Sequence, residues 1–449
     1  MKRLFMNASG SNFCILFAFF TSLSLLSCSK SETTPTPSAA TISAVTSPTG
    51  TTSGPKNTVI TISGTNFITD LSKIQVKVNG KDCVVLSATA TAITARIPAG
   101  CGTGVVQLFL NGTMYTGPVF NFIYTYALTS VTDGQSGNVY GSLAGAKFDE
   151  IESVSFDQSD NLYLGQYDFP KVKKITANGI VSLLAGSGVS GYLDANGATA
   201  QFVAPEYTSP GSDGNLYVGD NARVRKISVT GTVTTLYTSP NAGQFMGIKA
   251  MPTGIYLAGT NVLAKISYTG TLIWSITTKP ALPPFDDMYD LDGDTSIAKF
   301  NTYGNLEVDS MEQNIYFSNY DFNHSLNGHK VWKLKKLNLS THAITTIAGA
   351  NIGADAQDGL PLQATFSTIA DMRLDKLGGL WIADMANHKV RLLKDGGVTT
   401  IIGIPGQGDI DGDLNVAKIK SPTGLAFDSH GQLYIGCVGN RKIKKLTID

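Results

Sequence analysis

Along residues 125–449 the apolar and polar positions recur in one phrase: a glycine, an apolar–aromatic pair, a small polar turn, then Val or Ile between basic residues. It reads GNLYVGDNARVRKI from Gly214, GGLWIADMANHKVRLL from Gly378 and GQLYIGCVGNRKIKKL from Gly431, with looser copies from Asp160, Gly254 and Asn314. The aromatic falls at Tyr163, Tyr217, Tyr256, Tyr316, Trp381 and Tyr434, at intervals of 39 to 65 residues. A short apolar stretch such as SVSFD (Ser153 to Asp157) or GLAFD (Gly424 to Asp428) precedes the phrase. A Thr/Val-rich stretch such as TVTTLYT (Thr232 to Thr238) or GVTTIIG (Gly397 to Gly403) follows it. β-Branched and aromatic residues between Gly, Asn and Asp turns predict strands and hairpins, so each unit supplies four strands.

Six such units with no helical periodicity predict a six-bladed β-propeller. The last copy ends at Asp449 without its fourth strand, and an orphan strand, TYALTSVTDG (Thr125 to Gly134), lies ahead of the first. The N-terminal strand is therefore expected to complete the last blade and close the ring, leaving no open edge. The phrase resembles the NHL repeat, and residues 125–449 resemble an NHL-type β-propeller. That fold carries lyases, hydrolases and binding modules alike, so it does not by itself give function.

Upstream, alternating segments from Val59, Ile74, Ala92, Val105 and Val119 predict a second all-β unit over residues 41–124. Its SGTNF, VNGKDC, RIPAGCGTG and GPVFNF stretches resemble an IPT/TIG immunoglobulin-like domain. A sandwich of this size can bury an adequate core, and the join at Tyr124 to Tyr126 leaves almost no linker. Residues 28–40, rich in Ser, Thr and Pro, cannot form a core and are expected to act as a tether. Residues 1–27 carry Lys2 and Arg3 and then an apolar run from Phe13 to Leu26, too short for a comfortable membrane anchor and typical of a signal peptide. Leu25-Leu26-Ser27-Cys28 resembles a bacterial lipobox, which implies acylation of Cys28 and anchoring to a membrane.

Charge and cysteine content narrow the partners. Lys+Arg and Asp+Glu both number 34, so no overall field favours nucleic acid. On the third strand of each unit, pairs such as Arg223/Arg225, Lys389/Arg391 and Lys442/Lys444 alternate with Val or Ile, and a solvated basic face is expected there. Of the five cysteines, Cys14 lies in the leader and Cys28 is the acylation candidate. Cys83 and Cys101 share the sandwich and are a candidate disulfide in an oxidising envelope; the alternative is two buried thiols. Cys437 reads as a packed strand residue.

Candidate chemistry lies between the strands. Asp290, Asp292 and Asp294, and likewise Asp409, Asp411 and Asp413, alternate as calcium-loop ligands do, but without the glutamate that completes an EF-hand. Related segments in other units end, like these, in Ala-x-Phe or Ala-x-Ile, which favours a shared structural task, with calcium as the competing expectation. The turns after the aromatic strands should share one face of the ring and bring together Tyr167, Asp220, Asn319, Tyr320, His324, Asp384, His388 and Asn440. In the fourth unit this turn is enlarged (Asn319 to Lys330). Aromatics beside Asn and Asp suit a saccharide, whose C–H faces stack on rings while its hydroxyls meet amides and carboxylates. No HExxH or GxSxG occurs, so neither a zinc-protease helix nor a nucleophile elbow is predicted.

The expected protein is an outer-membrane lipoprotein, facing the periplasm or the cell surface. Its propeller binds a glycan or an envelope protein, with the sandwich as spacer. The order of lipobox, tether, IPT/TIG and NHL resembles envelope proteins of Bacteroidetes-type bacteria. The alternative is a metal-dependent propeller hydrolase or lyase.

Overall fold

A computed structural model describes residues 38–240, 243–278, 290–326, 329–350, 356–404 and 406–449, with 321–326 and 329–330 described by backbone alone. Cys28, the leader and nearly all of the tether lie outside these residues. The described chain is all-β apart from three 3-10 turns, and no described helix is long and apolar enough to cross a membrane.

The N-terminal unit is a sandwich whose strands alternate buried and open positions, as Ile74–Val78 and Ala92–Arg96 show. Lys81–Ala88 passes between its layers, pairing Cys83 with Val76 at one end and Ala88 with Ile93 at the other. Ile60, Ile62, Val76, Ile93, Val106, Leu108 and Phe120 form the core. The strand Lys81–Ala88 was not legible beforehand, because its burial pattern departs from strict alternation. Cys83 and Cys101 are free, buried thiols, so the expected disulfide is not formed.

The propeller follows as six blades of four strands each, with a short fifth strand, Gly141–Ser142 and Gly293–Asp294, added to the outer edge of blades 1 and 4. Their inner strands are Ser153–Phe156, Pro205–Pro210, Phe245–Met251, Thr302–Val308, Ile369–Leu374 and Pro422–Phe427, each touching the next in a closed circuit around a central channel. The second strands Leu162–Gln166, Leu216–Asp220 and Leu380–Asp384 are buried along their whole length, because both faces are covered by adjoining blades. Blade 6 takes its outer strand from Tyr126–Ser130, with Leu446 opposite Leu128 and Ile448 opposite Tyr126. The ring therefore closes through its two chain ends. At this seam the two domains meet: Thr125 N donates to Asp449 O at 2.7 Å, and Lys56 pairs with the Asp449 carboxylate.

Close approach between blades explains some of the glycines. A Cβ on Gly165 would lie 2.1 Å from Pro205 O, so blade 1 can pack against the start of the next inner strand only with glycine there.

Candidate functional site

In blade 2 the first residue of the inner strand pairs with the last of the second strand, Pro205 with Asp220, and the third strand starts alongside at Arg223. Inner-strand starts, the turns after the second strands and the connections between blades therefore share one face of the ring. The Asp loops singled out in the sequence start near this face and run along the outer strands, so that Asp294 lies against Ala343 at the far end, and most of these acids hold the connections to the blades.

In blade 2, Arg225 is fully buried and donates to Asp220 (2.7 Å) and Asp194 (2.8 Å), while Asp194 also accepts from Thr235 N and Thr235 Oγ1 on the outer strand. Blade 5 repeats this arrangement with Arg391, Asp384 (3.0 Å), Asp358 (2.8 Å) and Thr400. Blades 4 and 6 use lysine and move the second carboxylate into the connection. Lys335 meets Asp290 (2.7 Å) and Asp292 (2.6 Å), and Lys444 meets Asp409 (2.7 Å) and Asp411 (2.8 Å). Lys333 and Lys442 add to Asp290 and Asp409. Phe202 and Phe366, the phenylalanines of the Ala-x-Phe endings, lie about one ring away from the cations, 5.0 Å from Arg225 and 5.1 Å from Arg391. The recurring Asp loop is thus a clasp from connection to blade edge, and half of the expected solvated basic face is interior.

This arrangement leaves little for calcium. Asp290, Asp292, Asp409 and Asp411 are occupied by protein ammonium groups. Asp294 and Asp413 cap the backbone amides of Ser296 and Asn415, each at 2.9 Å. No cluster of three metal-ligating side chains occurs among the described residues. Blade 1 departs from the pattern: Tyr140 and Phe148 surround buried Lys173, which donates to Lys147 O at 3.0 Å. Burial lowers the Lys173 ammonium to about 8, against the pull of Asp149.

The other face residues divide by depth. Tyr167 is exposed (49%), whereas Asp220, Asn319, Tyr320 and Asp384 are buried. Burial pushes the Asp384 carboxyl up despite bonds from Asn387, Ser367 and Arg391. Asn319 Oδ1 accepts from Asn301 N at 2.7 Å. Tyr320 stacks on Trp332 at 4.8 Å, and Tyr303 meets Trp332 edge-on at 5.2 Å. His388 Nδ1 accepts from Ser421 N at 3.1 Å; burial, then Lys420, lowers its pKa. Asn440 ends a 3-10 turn, Val438–Asn440. The enlarged turn of blade 4 is a projecting hairpin formed by Asn314–Leu326 and His329–Asn338, with His324 on its first strand.

The sequence reading missed the channel mouth. In blades 2, 3, 5 and 6 the ladder slips directly after the first inner pair, so Glu206, Met246, Ala370 and Thr423 are extra bulge residues, and in blade 4 the slip spans Tyr303 to Asn305. Glu152 holds the same place in blade 1, one residue before Ser153 pairs with Gly165. Bulges re-aim side chains, here at the rim of the channel. Two neighbouring blades thus carry carboxyls with no basic partner among the described residues. Burial, then Glu206, Glu150 and Asp168, pushes Glu152 up to about 7. Burial also brings Glu206 to about 7, against a 3.1 Å bond from Gln244. Burial, then Glu206, Glu152 and Tyr303, raises the Tyr207 phenol. Neighbouring acids displaced this way make the rim a candidate functional site. The available signal was the acid that follows Ile151 and Pro205 in two adjacent units.

Residues 40–125 match the IPT/TIG domain model. No curated protein matches the chain. A structural genomics protein of unknown function from Bacteroides thetaiotaomicron VPI-5482 is similar at 18% identity, over 91% of this chain and 98% of that one, with a TM-score of 0.63. An auxiliary nutrient binding protein from the same strain aligns at 18% identity over 92% and 99% of the two chains, TM-score 0.53. One from Bacteroides ovatus ATCC 8483 aligns at 17% identity over 92% and 99%, TM-score 0.52. At these identities the likeness is one of fold, and it spans both the IPT/TIG immunoglobulin-like domain and the six-bladed propeller.

Proposed function

We propose that the chain is an envelope-anchored binding lipoprotein, acylated at Cys28. The tether and the IPT/TIG domain act as spacers that present the channel-mouth face of the propeller to a glycan. One observation carries this reading: the exposed aromatic rings Tyr167, Phe169, Tyr192 and Tyr303 all lie on the face where Glu152 and Glu206 open. Rings supply stacking surfaces for sugar C–H faces, and the carboxyls and Gln244 supply hydroxyl partners. The fold shared with Bacteroides proteins named auxiliary nutrient binding proteins supports a nutrient-capturing role.

The test is native electrophoresis of the mature Cys28→Ser chain through gels containing a panel of polysaccharides, with product analysis of the same mixtures. Retardation lost in Tyr303→Ala and Tyr167→Ala, without released products, is the expected result. Released products would overturn the reading in favour of an enzyme, and no retardation by any glycan would favour a protein partner. Acylation is tested separately by palmitate labelling, which Cys28→Ser should abolish.

A further inference from the structure

The interface between blades 3 and 4 differs from the others at the end away from the channel-mouth face. In blades 1, 2 and 5 the aromatic of the repeated phrase donates to an aspartate in the turn of its own blade. Tyr163 bonds Asp157 at 2.9 Å, Tyr217 bonds Asp213 at 2.7 Å and Trp381 Nε1 bonds Asp375 at 2.9 Å. Blade 3 has no such aspartate, because its turn shrinks to Met251-Pro252-Thr253-Gly254. Its Tyr256 instead reaches across to Glu312 of blade 4 at 2.7 Å, and Glu312 adopts a left-handed backbone (φ 50°).

The cover over this ring is also thinner. Phe156 of blade 1 packs on Tyr434 at 4.8 Å, and Phe427 of blade 6 packs on Trp381 at 6.0 Å. Blade 4 offers the smaller Val308 at the equivalent end of its inner strand, within the same cluster as Tyr256. The result is a cavity of about 560 Å³ between the blades.

We propose that this cavity binds a neutral monosaccharide-sized ligand, independently of the channel mouth. Its size falls within the several-hundred-Å³ range of small-molecule sites. Trp274, half-buried and 6.1 Å from Tyr256, supplies a ring wall, and Leu337 and Leu339 an aliphatic one. The charged groups present cancel: Lys265 lies 3.3 Å from Glu312, and both bond the Tyr256 hydroxyl. A site whose charges are mutually satisfied gains little from an ionic ligand and selects a neutral one. The Thr295 hydroxyl and the His342 ring also line the cavity and offer polar partners for sugar hydroxyls, with His342 acting on the neighbouring Asp294 carboxyl at its edge. Thr295 N donates to His342 O at 2.9 Å, which fixes these two residues relative to each other. The site sits in the copy whose sequence departs most from the repeat.

The experiment is titration of the mature chain with glucose, galactose, mannose, xylose and N-acetylglucosamine, followed by tryptophan fluorescence and saturation-transfer NMR. Of the three tryptophans, Trp332 and Trp381 are buried, which leaves Trp274 as the reporter. The expected result is a saturable response to at least one sugar. Trp274→Ala should abolish it, Thr295→Trp should weaken it at least tenfold by filling the cavity, and Tyr303→Ala should leave it unchanged. Thr295→Trp guards against misfolding of the Trp274 variant. No response to any sugar, binding intact in Thr295→Trp, or an equal response to acetate or methylammonium would overturn the proposal.

Discussion

Replacing Glu206 by glutamine should flatten the pH dependence of stability between pH 5 and 8. Burial pushes the Glu206 carboxyl from its ordinary 4.5 to about 7, with Gln244 opposing and Asp220 adding to the displacement. The folded chain thus keeps a proton that the unfolded chain has lost over this window, and stability must fall as pH rises through it. Below about 4.5 both states are protonated and nothing is lost; above the folded value the full cost is present. A displacement from 4.5 to about 7 corresponds to at most about 3 kcal/mol. Glu206 is only half-buried, and solvent screening reduces this to about 2 kcal/mol.

The amide introduced by Glu206→Gln cannot ionise but can still accept from Gln244, so the substitution removes the charge and little else. All three tryptophans, Trp274, Trp332 and Trp381, lie in the propeller, so denaturant unfolding followed by fluorescence reports that domain. Between pH 5 and 8 the unsubstituted chain should lose about 2 kcal/mol more than Glu206→Gln. Glu152→Gln should behave alike, and the double variant should gain less than the sum, because Glu206 adds to the displacement of Glu152. Parallel pH profiles, within about 0.5 kcal/mol, would refute the claim that these carboxyls sit unpaired at the mouth.

Three further outcomes follow from the geometry. Arg391→Leu strands the fully buried Asp384 and should cost about 3–5 kcal/mol in denaturant unfolding, whereas Asp358→Asn, at the open end of the same clasp, should cost about 1 kcal/mol; equal losses would contradict the clasp. Calcium and chelator should each leave the melting temperature unchanged, since Lys333, Lys335, Lys442 and Lys444 occupy the candidate carboxylates; a calcium-dependent rise would put a cation back in those loops. Burial pushes Cys83 and Cys437 up to about 12 and Cys101 to about 11, so iodoacetamide should label all three only after unfolding. A native mass showing Cys83 joined to Cys101 would refute the free-thiol arrangement.

Blade number, strand order and ring closure were legible because they rest on local signals: the Gly–aromatic phrase, the turn residues and an incomplete last unit. Depth was not. A period of two along Arg223-Val224-Arg225 separates basic from apolar side chains, but it does not reveal that the connection covers the basic side as well, with Phe202 against Arg225. Asp220 and Asp384 look like turn residues beside Asn221 and Asn387, yet the ladder continues to them and closes the connection above. The Asp-x-Asp loops favour a shared structural task with calcium as the competitor, but their spacing does not show that lysines remote in sequence, such as Lys335 for Asp292, meet these carboxylates. Glu152 was overlooked because it sits just ahead of its inner strand, and Glu206 because it falls at a bulge inside its inner strand that sequence does not announce.

The distribution of variation among the blades argues for where ligands meet this protein. The buried cation, its aspartate and the Thr or Ser of the outer strand recur in blades 2, 4, 5 and 6, since fastening a connection to a blade is the same problem each time. Near the first inner pair the blades carry Glu206, Met246, Ala370 and Thr423 at a bulge, Tyr303 within a wider slip and Glu152 just ahead of an unbroken ladder. Thr423 is buried and bonds Ile151 O and Gly436 O, while the others differ in charge and size. Fold stability alone would let one residue serve all six, because the bulge is shared by almost every blade. A ligand lying across the channel has no sixfold symmetry and meets each blade differently, so a binding face should vary where a purely structural ring would repeat. The same reasoning applies to blade 3, where loss of the turn aspartate and the smaller neighbour Val308 coincide with an opening beside Trp274.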